Sequence, residues 1–143
     1  MAVKALSGEQ WFDSLALATG YRDDQDKGGF RRQFLARFAL TSPLDEPETS
    51  VQQALTLQNG RFVGWATDPE NSPTMIAATK TPGLSLAERI GTLYLATLTR
   101  KPSADEAARL EAFVRLGGTD REAERLADIF WTLLNSAEFR LNH

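Results

Sequence analysis

Residues 85–134 read SLAERIGTLYLATLTRKPSADEAARLEAFVRLGGTDREAERLADIFWTLL and contain three helix-start signals in succession. Each signal is a Ser or Thr followed three residues later by Glu, a pair in which each side chain satisfies the other residue's free backbone N–H. The three pairs are Ser85 with Glu88, Ser103 with Glu106, and Thr119 with Glu122. After each pair the apolar residues recur at intervals of three and four, which predicts amphipathic helices.

The same signal occurs twice nearer the N-terminus, as Ser7 with Gln10 and Ser50 with Gln53, the second run ending at Asn59-Gly60. Apolar spacing predicts further helices over 30–40 and, more briefly, over 74–80, and no segment alternates at a period of two. The sequence therefore predicts an all-α fold, a single-domain helical bundle of about five to seven helices. The short turns at 101–102 and 117–118 predict that the last three helices are packed neighbours.

Residues 61–83 carry Pro69, Pro73 and Pro82, and they are predicted to form one long irregular loop. Long loops of compact domains often carry function. Trp65, with Arg61 close by, is therefore a candidate platform for stacking a ligand such as a sugar, the alternative being a core aromatic under the loop. Trp11 and Trp131 lie on or beside apolar helical stripes and are predicted to be core residues.

Composition excludes most familiar enzyme chemistry. The 143 residues contain no Cys and one His, His143, so thiolate nucleophiles, Ser-His-Asp triads and Cys- or His-based metal centres are excluded. The sequence predicts no cofactor and no metal site. The formal net charge of -3 argues against general binding to nucleic acid, and no stretch of about twenty apolar residues is present to span a membrane. Residues 1–8 lack an export signal.

Three charged groups have chemical alternatives to a solvated surface. Asp23, Asp24 and Asp26 precede two glycines, but the register of a calcium loop fails, which favours an acidic turn. The arginines at 31, 32 and 37 suit phosphate or nucleic acid, the alternative being an exposed helix face paired with those aspartates. Carboxylates are plentiful, but a glycosidase-type pair needs a separation that sequence does not show.

Three stretches together carry a resemblance to a known family: VQQALTLQNGRFV (51–63), RIGTLYLATLTRKPS (89–103) and DIFWTLLNSAEF (128–139). Their residues and order resemble the C-terminal domain of unknown function of planctomycete cytochrome c-type multidomain proteins. The resemblance implies large exported or cell-surface proteins in which a haem-binding domain or related regions precede this one. The present chain has no haem-attachment motif, so it would correspond to the C-terminal portion. The domain has no established activity, so the resemblance supplies no catalytic residues.

These considerations predict a non-catalytic helical interaction or scaffolding domain whose partners are the upstream domains or another protein, with polysaccharide as a further candidate. The alternative is a small ligand- or carbohydrate-binding domain, or a carboxylate-based hydrolase, that uses the loop around Trp65. The candidate binding residues are Gln53, Asn59, Arg61, Trp65, Asn135 and Glu138. Helix caps and packing offer a structural explanation for Gln53, Asn59, Asn135 and Glu138.

Overall fold

Three predicted capping boxes are formed in the computed structural model, which describes residues 6–22, 24, 29–41 and 61–141. In each box the Ser Oγ accepts a hydrogen bond from the backbone N–H of the Gln or Glu three residues later. The side chain of that Gln or Glu accepts a hydrogen bond from the Ser backbone N–H. The described part of the chain is all-α and contains these eight α-helices: α1 (Gly8–Thr19), α2 (Phe30–Thr41), α3 (Arg61–Ala66), α4 (Pro73–Lys80), α5 (Leu86–Leu98), α6 (Ala104–Leu116), α7 (Glu122–Leu134) and α8 (Ala137–Leu141).

The long irregular loop predicted over 61–83 is wrong, because two helices occupy most of it. The predicted short helix over 74–80 is confirmed, and it begins at Pro73, where a missing N–H costs nothing. Ser72 caps this helix. Between α3 and α4 the Asp68 carboxylate accepts hydrogen bonds from the Glu70 N–H (2.8 Å) and the Asn71 amide (2.6 Å). The prolines thus stand at helix starts and turns rather than in helix interiors.

The predicted cap at Thr119 is also wrong, although the helix that follows is present. Residues 119–121 form a single 3₁₀ turn after Gly118, whose φ of 71° lies in the left-handed region. The Glu122 N–H donates to the Thr119 backbone carbonyl, so it needs no hydroxyl cap. Helix α7 consequently begins at Glu122 without a side-chain hydrogen bond at its N-cap.

Helix α5 contacts α1, α4, α6, α7 and α8, so it lies at the centre of the described helices. Its buried Ile90 and Leu93 join one apolar cluster that includes Phe12 of α1 and Phe130 of α7. Helices α5, α6 and α7 contact one another pairwise, as their short connections predict. Helix α7 ends at Leu134 and the chain turns into α8. Phe139 of α8 packs into the core, with 2% of its surface exposed.

The tryptophans differ in their burial. Trp11 is a core residue as predicted, with 4% of its surface exposed, whereas the prediction for Trp131 is wrong because 36% of it is exposed. The buried face of α7 is formed by other residues, and the period of 3.6 turns Trp131 outward.

The predicted helix that begins at Ser50 lies outside the described residues. Among the helices that are described, none combines the length and the apolar character needed to cross a bilayer.

Candidate functional site

The densest polar cluster in the described chain is centred on Arg100, directly after α5. Its guanidinium donates to both oxygens of Glu138, with Nε–Oε1 at 2.7 Å and Nη2–Oε2 at 2.9 Å. It also donates to both oxygens of Glu106, with Nη1–Oε1 at 2.9 Å and Nη2–Oε2 at 3.2 Å. Such paired, charge-assisted bonds match the planar fork of arginine. One side chain therefore links the end of α5 to the start of α6 and to α8.

The backbone before Arg100 adopts an unusual conformation. Thr99 has a φ of 56°, in the left-handed region that a β-branched residue rarely adopts. This residue ends α5 and reverses the chain, a role that glycine usually has at a helix C-terminus. Arg100, immediately afterwards, is held by two carboxylates, and tertiary contacts of this kind can maintain a strained backbone.

Tyr94 completes the Arg100 network from within α5. Its hydroxyl donates to Oε2 of Glu106 at 3.1 Å, and the Arg100 guanidinium lies 5.3 Å from the centroid of its ring. Glu106 additionally accepts the Ser103 N–H at 3.0 Å as the capping box of α6. A residue recognised in the sequence as a cap is thus also the second anion of a tertiary ion-pair network.

The electrostatics of this network favour ionised carboxylates. Hydrogen bonds from Arg100, with the Ser103 N–H second, lower the pKa of Glu106 to about 2. The same guanidinium lowers the pKa of Glu138. Burial, and then the hydrogen bond to Glu106, raises the pKa of Tyr94 to about 12. A general acid needs a carboxyl that holds its proton near neutral pH, so the two glutamates form a structural clamp.

Candidate residue Glu138 is therefore placed in an ion pair, and Asn135 lies three residues before it. Asn135 is the C-cap of α7, and both its N–H (3.1 Å) and its side-chain Nδ2 (2.8 Å) donate to the Trp131 carbonyl. Its Oδ1 is buried and has no hydrogen-bond partner among the described residues. The structural explanation by capping applies to Asn135. Gln53 and Asn59 lie outside the described residues.

Trp65 belongs to α3 and to an aromatic cluster rather than to a loop. Its indole is half-buried, and ring centroids lie 5.7 Å away for Tyr21, 6.0 Å for Phe30 and 5.8 Å for Phe62. Arg61 is exposed at the first residue of the same helix. The packing favours the core-aromatic alternative for Trp65. Within the described chain, no hydrogen bond or ring contact joins this pair to Asn135 and Glu138.

A surface depression of about 470 Å³ lies beside the aromatic cluster, between α1 and the start of α2. Its lining residues are Asp13, Ala16, Leu17, Gly20, Tyr21, Arg22 and Arg31. The charges at its rim are engaged, because Arg31 pairs with Asp13 at 2.8 Å and Arg22 with Asp24 at 3.0 Å. The depression therefore presents apolar surface between two ion pairs.

Of the remaining charged candidates, Arg31 has structural partners in α1. Arg31 pairs with Asp13 of α1 and lies 5.3 Å from the Phe12 ring centroid. Arg32 and Arg37 are exposed on α2. Asp23 and Asp26 lie outside the described residues, and within the described ranges no group of three acidic or imidazole side chains is arranged to hold a metal ion.

Sequence reasoning missed the network of Arg100 with Tyr94 and Glu106, and the exposure of both Asp128 and Trp131 on α7. Arg100 is 38 positions from Glu138, so no local pattern connects them. The outward direction of Trp131 has a local signal, since Asp128 precedes it by three residues on the same helical face.

Comparison of the chain with protein-family models, with curated proteins and with solved structures finds no match. The resemblance to the planctomycete family therefore stays a prediction.

Proposed function

We propose that this chain is a non-catalytic helical domain that binds protein, as the C-terminal part of an exported planctomycete-type multidomain protein. The observation that carries the proposal is Trp131, whose surface is 36% exposed on the outer face of a helix anchored in the core. Tryptophan is enriched at protein interfaces, where a large rigid ring buries much area at a small entropic cost.

The arrangement of the carboxylates supports a non-catalytic function. Glu106 and Glu138, which share the most concentrated polar site in the described chain, are both bound by Arg100. Trp65, on which the carbohydrate and hydrolase alternative depends, contacts other aromatic rings in α3 and its surroundings. No observation on the described residues favours that alternative over protein binding.

The test uses the coding sequence upstream of Met1. The polypeptide encoded there in the same reading frame is produced separately, and its binding to this chain is measured by calorimetry. Saturable binding of one equivalent supports the proposal, with Trp131→Phe expected to weaken it. Lack of an upstream reading frame, or of binding, contradicts it.

A parallel thermal-shift screen covers metals, oligosaccharides, nucleotides and haem. A ligand that prefers the folded state raises the Tm in proportion to its concentration over its Kd. The proposal expects no saturable shift from these small molecules. A saturable shift that Trp65→Ala abolishes would instead support the small-ligand alternative.

A further inference from the structure

We propose that the outer face of α7 binds a basic segment of a protein partner by holding an arginine side chain between the Asp128 carboxylate and the Trp131 indole. This inference rests on the proposed function and gives the partner's chemistry. The two residues are three apart on one helix, a spacing that brings their side chains together on the same face.

The opposite face of α7 holds the site in a defined orientation. Its buried residues Leu126, Ile129, Phe130 and Leu133 belong to the core cluster. The helix therefore cannot rotate about its axis without exposing these side chains. Asp128 and Trp131 are presented to solvent at a fixed spacing, which lowers the entropic cost of binding a partner.

The cations nearest in sequence are already engaged elsewhere. Arg121 donates to both oxygens of Glu124, at 2.9 and 2.7 Å. The guanidinium of Arg125 lies 4.6 Å from the ring centroid of Phe113. Asp128, in contrast, is exposed, and its carboxylate makes no hydrogen bond or ion pair with any described residue. Among the described residues this face therefore presents a carboxylate with no hydrogen-bond or ion-pair partner, on which Arg121 acts only at longer range, beside an exposed aromatic ring.

The combination selects a particular side chain. A carboxylate alone attracts any cation, and an indole alone attracts apolar groups, whereas arginine is both planar and positively charged. Stacking on the indole and pairing with the carboxylate use separate parts of the same guanidinium. The formal net charge of -3 also favours encounter with a basic partner over an acidic one.

The test is an NMR titration of the ¹⁵N-labelled chain with the peptide Ac-Gly-Arg-Gly-Arg-Gly-NH₂. The Trp131 indole N–H is followed, after assignment by its loss in Trp131→Phe. A matched peptide with citrulline in place of arginine keeps the shape and removes the charge. We expect a saturable shift with the arginine peptide, with a Kd of order tens of millimolar, which is what about one exposed cation–π contact and one exposed ion pair supply.

Two variants on the same helix separate the site from general charge effects. Asp128→Asn is expected to weaken arginine-peptide binding at least about threefold, the loss of one exposed ion pair. Glu124→Gln removes an equal charge that is engaged with Arg121, and it should leave the Kd within about twofold. Equal shifts from the arginine and citrulline peptides, or no saturable shift, would overturn the proposal. Both peptides are titrated into the native chain, so this comparison decides the proposal even if a variant misfolds.

The same titration distinguishes this inference from the proposed function. If the upstream polypeptide binds the chain while the arginine peptide does not, the inference fails and the interaction function stands. If neither binds, both fail. If both bind and each blocks the other, both are supported.

Discussion

Replacing Glu106 with Gln removes one charge from the Arg100 network while preserving the shape of the side chain. The network lowers the pKa of Glu106 from 4.5 to about 2, which corresponds to about 3 kcal/mol of differential stabilisation of the ionised form. The side chain keeps 27% of its surface exposed, and solvent screening reduces this figure. We expect Glu106→Gln to lower the free energy of unfolding by about 1–2 kcal/mol at pH 7.

The sign of the pH dependence follows from the lowered pKa. A carboxyl that binds protons less tightly in the folded state stabilises the fold above its unfolded pKa, and this contribution is lost as the pH falls toward the folded pKa. For Glu106 the window runs from 4.5 down to about 2. The difference between the native chain and Glu106→Gln should therefore be largest at pH 7 and fall below about half that value by pH 2.5.

The assay is urea unfolding followed by circular dichroism at several pH values between 2.5 and 7. Glu111→Gln is the control, because Glu111 pairs with Arg115 one turn along the same helix, at 3.2 Å. This pair is worth at most about 0.5 kcal/mol. A Glu106→Gln effect that is equal at pH 2.5 and pH 7, or no larger than that of the control, would refute the reasoning.

Three further predictions concern the free energy of unfolding, each measured by urea denaturation. Ser103→Ala should cost about 1 kcal/mol, because the Ser103 Oγ caps α6. Thr119→Ala should cost less than about 0.5 kcal/mol, because the Thr119 backbone carbonyl rather than its hydroxyl accepts the Glu122 N–H. Equal losses of stability would contradict the observed caps. Gly91→Ala should stabilise helix α5 by about 0.5–1 kcal/mol, because a Cβ there meets no other atom within 4 Å. Gly20→Ala should destabilise the fold, since the φ of Gly20 is 77° and a Cβ there would lie 2.7 Å from a Pro73 side-chain atom. Effects of the same sign for both substitutions would be inconsistent with this packing. Thr99→Gly should stabilise by about 1 kcal/mol by relieving the left-handed backbone, and a loss of stability would show that the threonine side chain matters more than the strain.

The helix starts could be predicted because a capping box is local. The hydrogen bonds of Ser7, Ser85 and Ser103 span three residues and form as the sequence indicates. The same pattern at Thr119 failed, because the preceding glycines let the chain wind into a 3₁₀ turn in which a backbone carbonyl takes the place of the hydroxyl. Prolines were misleading over 61–83, since they disfavour helix interiors but are compatible with helix starts.

The candidate site depended on information that no local pattern holds. Trp11 and Trp131 both accompany apolar stripes, yet one is buried and the other exposed. Glu106 was recognised as a cap, but its second role needs Tyr94 from α5 and Arg100 from the turn that follows α5. The rotation of a helix about its own axis decides which of its side chains face the core.

The sequence by itself determined the all-α class and most helix starts, because helical period and capping arise from contacts within a few residues. Only the tertiary structure decided that Arg100 would join Glu106 to Glu138, which follows it by 38 positions, and that Trp131 would face solvent beside Asp128. These outcomes depend on how the helices rotate against one another to bury the most apolar surface, and that balance is settled over the whole core at once.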